Sequence, residues 1–297
     1  MTKAVPMPRS TALQSFFDPA TGTVTHLVWD LATRCAAVID PVLDFDAAAG
    51  RTATRSADAV LVHVRAEGLA VQWILETHVH ADHLSAAPYV QAQAGGRIAV
   101  GEHIRTVQAA FGRLFPAQAG AADGSPFDHL MRDGETIQLG QTPLTALWVP
   151  GHTPADMAYL VDGAAFVGDT LFMPDVGTAR ADFPGGDAAT LYRSIQRLLA
   201  LPGDTRLFVC HDYPPAGRAP QWETTVDAQR RHNIHVGVGV TEAAFVALRS
   251  ARDATLGAPA LLLPSLQVNV RAGQLPPPEA NGIAYLRIPL NAFGTPP

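Results

Sequence analysis

Thr77-His78-Val79-His80-Ala81-Asp82-His83 follows an apolar stretch, Val71 to Glu76, that reads as a buried strand. From His83 to Ala94 the pattern reads as a helix stopping at Gly95-Gly96, with Pro88 expected to disturb it. The string therefore sits at a strand-to-helix junction, where three imidazoles and one carboxylate fall within the span His78 to His83. Imidazole and carboxylate together suit zinc, iron or manganese, and a tight turn can aim alternate side chains at one point. The competing reading is a polar loop of solvated histidines.

Working outward from this stretch removes that competitor, because chemistry-bearing residues recur after further expected strands. Leu144 to Trp148 leads to Pro150-Gly151-His152-Thr153-Pro154. Met157 to Val161 and Ala164 to Gly168 are joined by Asp162-Gly163, a strong hairpin signal, and lead to Val167-Gly168-Asp169-Thr170. Arg206 to Val209 leads to Cys210-His211-Asp212-Tyr213. Thr23 to Trp29 and Cys35 to Ile39 also read as strands, as does Ile137 to Leu139. Helices are expected over Ala57 to Glu67, His103 to Leu114, Ala188 to Leu201 and Glu242 to Ala254, with a polar loop from Ala119 to Ser125. Leu275-Pro276-Pro277-Pro278 excludes regular helix and suggests ordered packing or the edge of a lid. No repeat and no clean linker divides the chain, so one layered domain, 1–240, with a C-terminal extension, 241–297, is the economical division.

Composition narrows the function classes. The chain has 297 residues, 47% hydrophobic and 16% charged, with a mean hydropathy of +0.10, which describes a globular protein with a sizeable core. A formal charge of -6 gives no sign of a nucleic-acid partner. The start lacks the basic-then-apolar pattern of a secretory signal and no apolar run is long enough to span a bilayer, so the expectation is a cytoplasmic protein without a membrane partner. Only Cys35 and Cys210 are present, too few for a disulfide framework. Adjacent strand residues face opposite ways, so Cys210 is expected to point away from His211 as a small buried hydrophobe. His26, His63, His103, His129, His232 and His235 belong to no such string and are given structural roles.

The HxHxDH string, the later Gly-His-Thr, the Gly-Asp and the final His resemble the metallo-β-lactamase superfamily over most of the chain. The resemblance implies an α/β fold, a four-layer αββα sandwich of two mixed sheets flanked by helices, with metal at one rim. In dinuclear members of that superfamily, residues matching His78, His80 and His152 hold one metal. Those matching Asp82, His83 and His211 hold the other, with the Asp169 equivalent bridging.

Flanking strings are more specific. Glu76 to Ala86, Gly177-Thr178-Ala179-Arg180-Ala181-Asp182-Phe183, and Ala200 to Asp204 leading to Cys210-His211-Asp212-Tyr213 resemble the persulfide dioxygenases, in their bacterial branch. That resemblance implies one Fe(II) per chain held by His78, His152 and Asp169. It implies oxidation of glutathione persulfide, or a related low-molecular-weight persulfide, by O₂ and water to sulfite and thiol. His80, Asp82, His83 and His211 would then orient ligands and bound water, with Asp82, His83, His211 and Tyr213 assisting catalysis. Arg180 and Tyr213 match family residues beside the substrate. Asn269-Val270-Arg271-Ala272-Gly273 also resembles a family segment, with Ala272 where mitochondrial-type members have cysteine. Zinc is expected to substitute for Fe(II) in crystals, and a homodimer is expected by analogy with relatives. The alternative is a glyoxalase-II-like thioester hydrolase with a dinuclear centre. A β-lactamase proper is disfavoured by the missing export signal.

Overall fold

The computed structural model describes residues 9–115 and 121–291, so Ala119 and Gly120 of the expected loop and Phe293 of the extension lie outside the described residues. Two six-stranded sheets form the body. The first runs, in spatial order, Thr11–Asp18, Thr23–Asp30, Cys35–Ile39, Ala70–Leu75, Arg97–Gly101 and His129–Met131. The second runs Thr136–Leu139, Thr142–Trp148, Met157–Val161, Ala164–Phe166, Arg206–Phe208 and Glu223–Thr225. Both are mixed: Cys35–Ile39 is parallel to Ala70–Leu75, and Ala164–Phe166 is parallel to Arg206–Phe208. A small third sheet joins Arg51–Ala53, Val42–Asp46 and Leu84–Ser85.

Alternation along the strands explains the layering. Val28, Ala37, Trp73 and Leu75 from the first sheet meet Leu144, Met157, Tyr159 and Phe166 from the second in one buried core. Their neighbours Leu27, Val38 and Ile74 face outward, where Val60, Leu61 and Val64 of the helix Arg55–Ala66 cover them together with Val90 of Ala87–Ala94. On the far side Ala158, Ala165 and Leu207 pack under Leu191, Ile195 and Leu198 of the helix Ala188–Leu199. A strand buried on both faces is mostly apolar, as Cys35–Ile39, Met157–Val161 and Ala164–Phe166 are. The order helix, sheet, sheet, helix is the four-layer α/β sandwich expected from the sequence.

Three local expectations need correction. The helix does not begin at His83. Leu84–Ser85 pairs with Val42 and Leu43, and the helix starts at Ala87, so Pro88 falls in its first turn, where a missing N–H costs no bond. The strand Ala164–Phe166 ends before Gly168, and Asp169 rides on a 3₁₀ turn, Gly168–Thr170. The strand before His211 ends at Phe208. The strand pairing Thr11–Asp18, the strand Arg97–Gly101 and the helix Leu262–Asn269 had no reading in the sequence. No helix among the described residues is long and apolar enough to cross a membrane.

The chain beyond 240 packs against the body. Leu262, Leu266 and Val270 share a buried cluster with Val79, Ala81, Val100 and Ile104. Leu275 to Pro278 is not helical, as expected, and Leu275 is exposed while Pro276 is buried.

Candidate metal centre

Every residue at the centre follows a strand. Ala70–Leu75, in the middle of the first sheet, delivers the loop Glu76 to His83, and Cys35–Ile39 beside it delivers Asp40. The second sheet delivers His152, Asp169 and His211 past the ends of Thr142–Trp148, Ala164–Phe166 and Arg206–Phe208. An antiparallel bridge between Thr23 and His211 ties the two sheets together at this rim. Gly151 makes the approach of His152 feasible: its φ is +139°, and a Cβ there would overlap the backbone of Leu191 at the start of the helix Ala188–Leu199.

Five imidazoles converge, each with one nitrogen held and the other unspent. Nδ1 of His152 donates to the backbone oxygen of Arg180 (2.8 Å) and Nδ1 of His83 to that of Leu84 (3.0 Å). Nδ1 of His78 meets Thr77 Oγ1 (3.0 Å) and Nδ1 of His211 meets Thr23 Oγ1 (3.3 Å). His80 is reversed, its Nε2 lying 3.0 Å from Asp40 Oδ1. The opposite nitrogens, His78 Nε2, His80 Nδ1, His83 Nε2 and His211 Nε2, are buried without any hydrogen bond, as is Asp169 Oδ1. Several unsatisfied polar atoms in one place are too costly for an accident of packing. A cation is the group that satisfies lone pairs all aimed inward, and imidazole with carboxylate is a donor set for zinc or iron.

Electrostatics agree with a ligand role. Burial, and then the neighbouring imidazoles, hold His78 well below the ordinary histidine range, so it is neutral and its lone pair free. His83 is lowered to about 4 by burial and then by His80. His80 goes the other way: burial opposes protonation, but the Asp40 carboxylate raises it well above the usual value. A metal taking His80 Nδ1 must therefore displace a proton.

Within the cluster, ligand atoms of His78, His152 and Asp169 lie within 4.8 Å of one another, and a second such group is His80, Asp82 and His83. Asp169 also reaches His211, with 3.3 Å between Oδ1 and Nε2. Tyr213 stacks on His211, with ring centroids 5.8 Å apart and planes 8° from parallel. All seven histidines and aspartates singled out from the sequence thus meet at one rim, and Tyr213 stands beside them. Arg180 is placed differently from a free guanidinium. Its Nε and Nη2 donate to Asp182 at 2.6 and 2.7 Å, and its Nη1 to Gly257 O at 2.7 Å.

Cys210 departs from expectation. It is buried, but its sulfur lies within 4.8 Å of ligand nitrogens of His80 and His211, because strand alternation ceases at Phe208. Sequence reasoning also missed Asp40, which accepts from Thr77 N, Thr77 Oγ1 and His80. Its signal was an aspartate at a strand end before Pro41, where it adopts a φ of +52°. Asn269 was noted only as part of a family segment. Its Nδ2 donates to the backbone oxygens of His80 (2.9 Å) and His83 (2.8 Å), and its Oδ1 accepts from Ser85 N (2.8 Å). His235, set aside as structural, lines the cavity above the centre.

This architecture and ligand set define a metallo-β-lactamase fold, and the sequence matches the Metallo-beta-lactamase superfamily over residues 19–211, so the chain belongs to that superfamily. A probable metallo-hydrolase of Burkholderia pseudomallei is 57% identical over 95% of this chain and 99% of its own, and Glyoxylase B2 of Dictyostelium discoideum is 43% identical over 96% and 99%. The mitochondrial persulfide dioxygenase ETHE1 of Homo sapiens is 32% identical over 68% of each chain. Among solved structures, ETHE1 from Myxococcus xanthus superimposes with a TM-score of 0.71 at 28% identity, covering 89% of this chain and all of that one.

Proposed function

We propose that the chain is a persulfide dioxygenase that uses one Fe(II) and converts a thiol persulfide, O₂ and water to sulfite and the free thiol. The observation that carries this reading is the mutual approach of His78, His152 and Asp169, two imidazoles and one carboxylate, without His80 among them. These three residues would hold an iron ion, which would supply the coordination chemistry that brings a persulfide and O₂ together. The likeness to the two ETHE1 proteins supports the same reading.

The chain's own residues would do the rest. Arg180 O fixes the tautomer of His152, so that Nε2 carries the lone pair. Tyr213 lines the cavity with a phenol that is protonated at neutral pH and can donate a hydrogen bond to a bound anion. Asp82, also on the cavity wall, is held below the usual carboxylate range although burial opposes this, chiefly by His211 and His83. It therefore accepts hydrogen bonds from water entering the site. Val79, between His78 and His80, is buried in the apolar cluster with Val100, Ile104 and Leu266.

A second reading, hydrolysis of a thioester at two metals, is favoured by the second ligand group of His80, Asp82 and His83 and by the likeness to Glyoxylase B2 at 43% identity. O₂ uptake by iron-loaded protein given glutathione persulfide separates the two, with metal counted per chain and S-lactoylglutathione run in parallel. Sulfite formed in proportion to O₂ at one iron per chain is expected. Thioester cleavage without O₂ uptake, at two metals per chain, would overturn the dioxygenase in favour of the hydrolase.

A further inference from the structure

A cavity of about 460 Å³ opens over the metal centre, with Asp82, His152 and Asp169 on its metal side. Three arginines also line it: Arg180, Arg249 and Arg252. Two of them are already neutralised. Arg180 is bound in a two-point pair to Asp182. Arg249, almost fully buried, donates through Nε to Asp253 Oδ1 (2.8 Å) and through Nη1 to Thr178 O (3.1 Å).

The carboxylates nearby are equally committed. The remaining oxygen of Asp253 accepts from Ala181 N at 2.9 Å. Asp175, which lines the cavity away from Asp82 and Asp169 on the metal side, accepts from Arg218 Nε (2.7 Å) and Nη2 (3.1 Å). Arg252 makes no ion pair and no side-chain hydrogen bond among the described residues, although it follows Arg249 by three positions on the same helix, Glu242–Asp253. The same cavity has Ile234, Leu256 and Pro259 among its apolar lining residues. His235, on the same cavity wall, is kept neutral: burial, then Arg249 and Arg252, lower it to about 4.

We infer that Arg252 is the anion-binding residue of this cavity, holding a carboxylate or phosphate on the thiol carrier while the carrier's sulfur lies at the metal centre. A guanidinium fits either group through two parallel N–H bonds. This shifts the anchor from Arg180, whose guanidinium is spent on Asp182 and Gly257 O, to the C-terminal helix. Arg180 acts instead through its backbone, on His152. The inference rests on the reading that the cavity admits a sulfur-bearing substrate. It makes the extension beyond 240 part of the specificity of the site.

Binding to the zinc-loaded full chain tests this without turnover. Calorimetry would compare S-methylglutathione with its bis-amide, in which both carboxylates are uncharged, and with S-methyl coenzyme A as a phosphate-bearing carrier. The charged form of one carrier is expected to bind about tenfold tighter than the bis-amide, a preference that Arg252→Gln abolishes and Arg252→Lys keeps in part, because lysine preserves charge but not the two-point geometry. Preference for S-methylglutathione identifies a carboxylate, and preference for S-methyl coenzyme A a phosphate; either supports the subsite. Binding of both S-methylglutathione and S-methyl coenzyme A no tighter than the bis-amide by the wild type, or a preference that survives Arg252→Gln, overturns it. Arg252 is exposed, so the variant should melt with the wild type. The dioxygenase reading fails separately: Arg252-dependent binding without O₂ uptake from glutathione persulfide leaves the subsite standing, and O₂ uptake with a KM unchanged in Arg252→Gln removes the subsite alone.

Discussion

Asp40 Oδ1 lies 3.0 Å from His80 Nε2, and this one bond reverses the ring relative to its neighbours. His78, His83, His152 and His211 hold Nδ1 and present Nε2, whereas His80 holds Nε2 and presents Nδ1. His78 and His80, separated only by Val79, thus face the centre with different ring nitrogens, Nε2 and Nδ1.

Replacing Asp40 should therefore loosen the centre without emptying it at once. Asp40→Asn puts an amide N–H₂ where three donors now point, so one of Thr77 N, Thr77 Oγ1 or His80 Nε2 loses its acceptor. Metal affinity should fall by roughly 10 to 100-fold, the usual effect of removing a group that orients a ligand. Competition with a graded chelator measures it.

Stripping the metal should destabilise the whole fold, because the orphaned nitrogens and Asp169 Oδ1 would stay buried and unpaired. A ligand present at 100 times its Kd stabilises by about 2.7 kcal/mol, so the melting temperature should drop by roughly 4 °C in a chain of this size. Calorimetry before and after chelation, and again after anaerobic Fe(II) or zinc is returned, reads the change.

At Gly151 the expected result is larger. Gly151→Ala forces a side chain into the backbone of Leu191 at a φ of +139°, so the turn before His152 must move. A loss of at least about 2 kcal/mol is expected from strain and overpacking together. Urea unfolding gives the loss, and the metal content of the purified variant should fall with it.

A pH effect comes from His26, which is buried among Phe166 and Phe208 and reaches Val209, two residues before His211, through its ring nitrogen. Its Nε2 donates to Val209 O (3.0 Å) and its Nδ1 accepts from Ser15 Oγ (2.9 Å), an arrangement suited to the neutral ring. Burial lowers it to about 4 from 6.5. The unfolded chain thus takes up the proton first, so stability is full above the unfolded value and declines as pH falls from 6.5 toward 4. By pH 5 the loss is on the order of 2 kcal/mol. Denaturant midpoints of wild type and His26→Gln across pH 7.5 to 5 should converge as the pH is lowered. Curves that stay parallel would show that His26 does not titrate in this window.

Much of the centre was legible because its ligands come in strings. His78 to His83 and the residues around His152, Asp169 and His211 each follow an apolar strand, and both signals are local. Asp40 was not legible, since a lone aspartate at a strand end looks like any turn residue until His80 is seen against it. Arg252 was hidden for the opposite reason: charged residues on an exposed helix are common, and its lack of a partner appears only when the carboxylates around it have been assigned. The four-layer order could be read from alternation, but not the pairing of Leu84–Ser85 with Val42–Asp46, which is too short to leave a period. Nor could Cys210 be placed, because its orientation depends on where the strand ends, a boundary set by pairing rather than by composition.

The amide of Asn269 holds the backbone of His80 and His83 from a helix near the far end of the chain. During synthesis the ligand loop leaves the ribosome long before that amide exists. Its carbonyls at His80 and His83 must wait, solvated or paired elsewhere, until Leu262–Asn269 has emerged and docked. Capture of the ion in its final geometry is thereby made a late event of biogenesis, and a truncated nascent chain would present histidines to the cell's metals without the enclosure that selects among them.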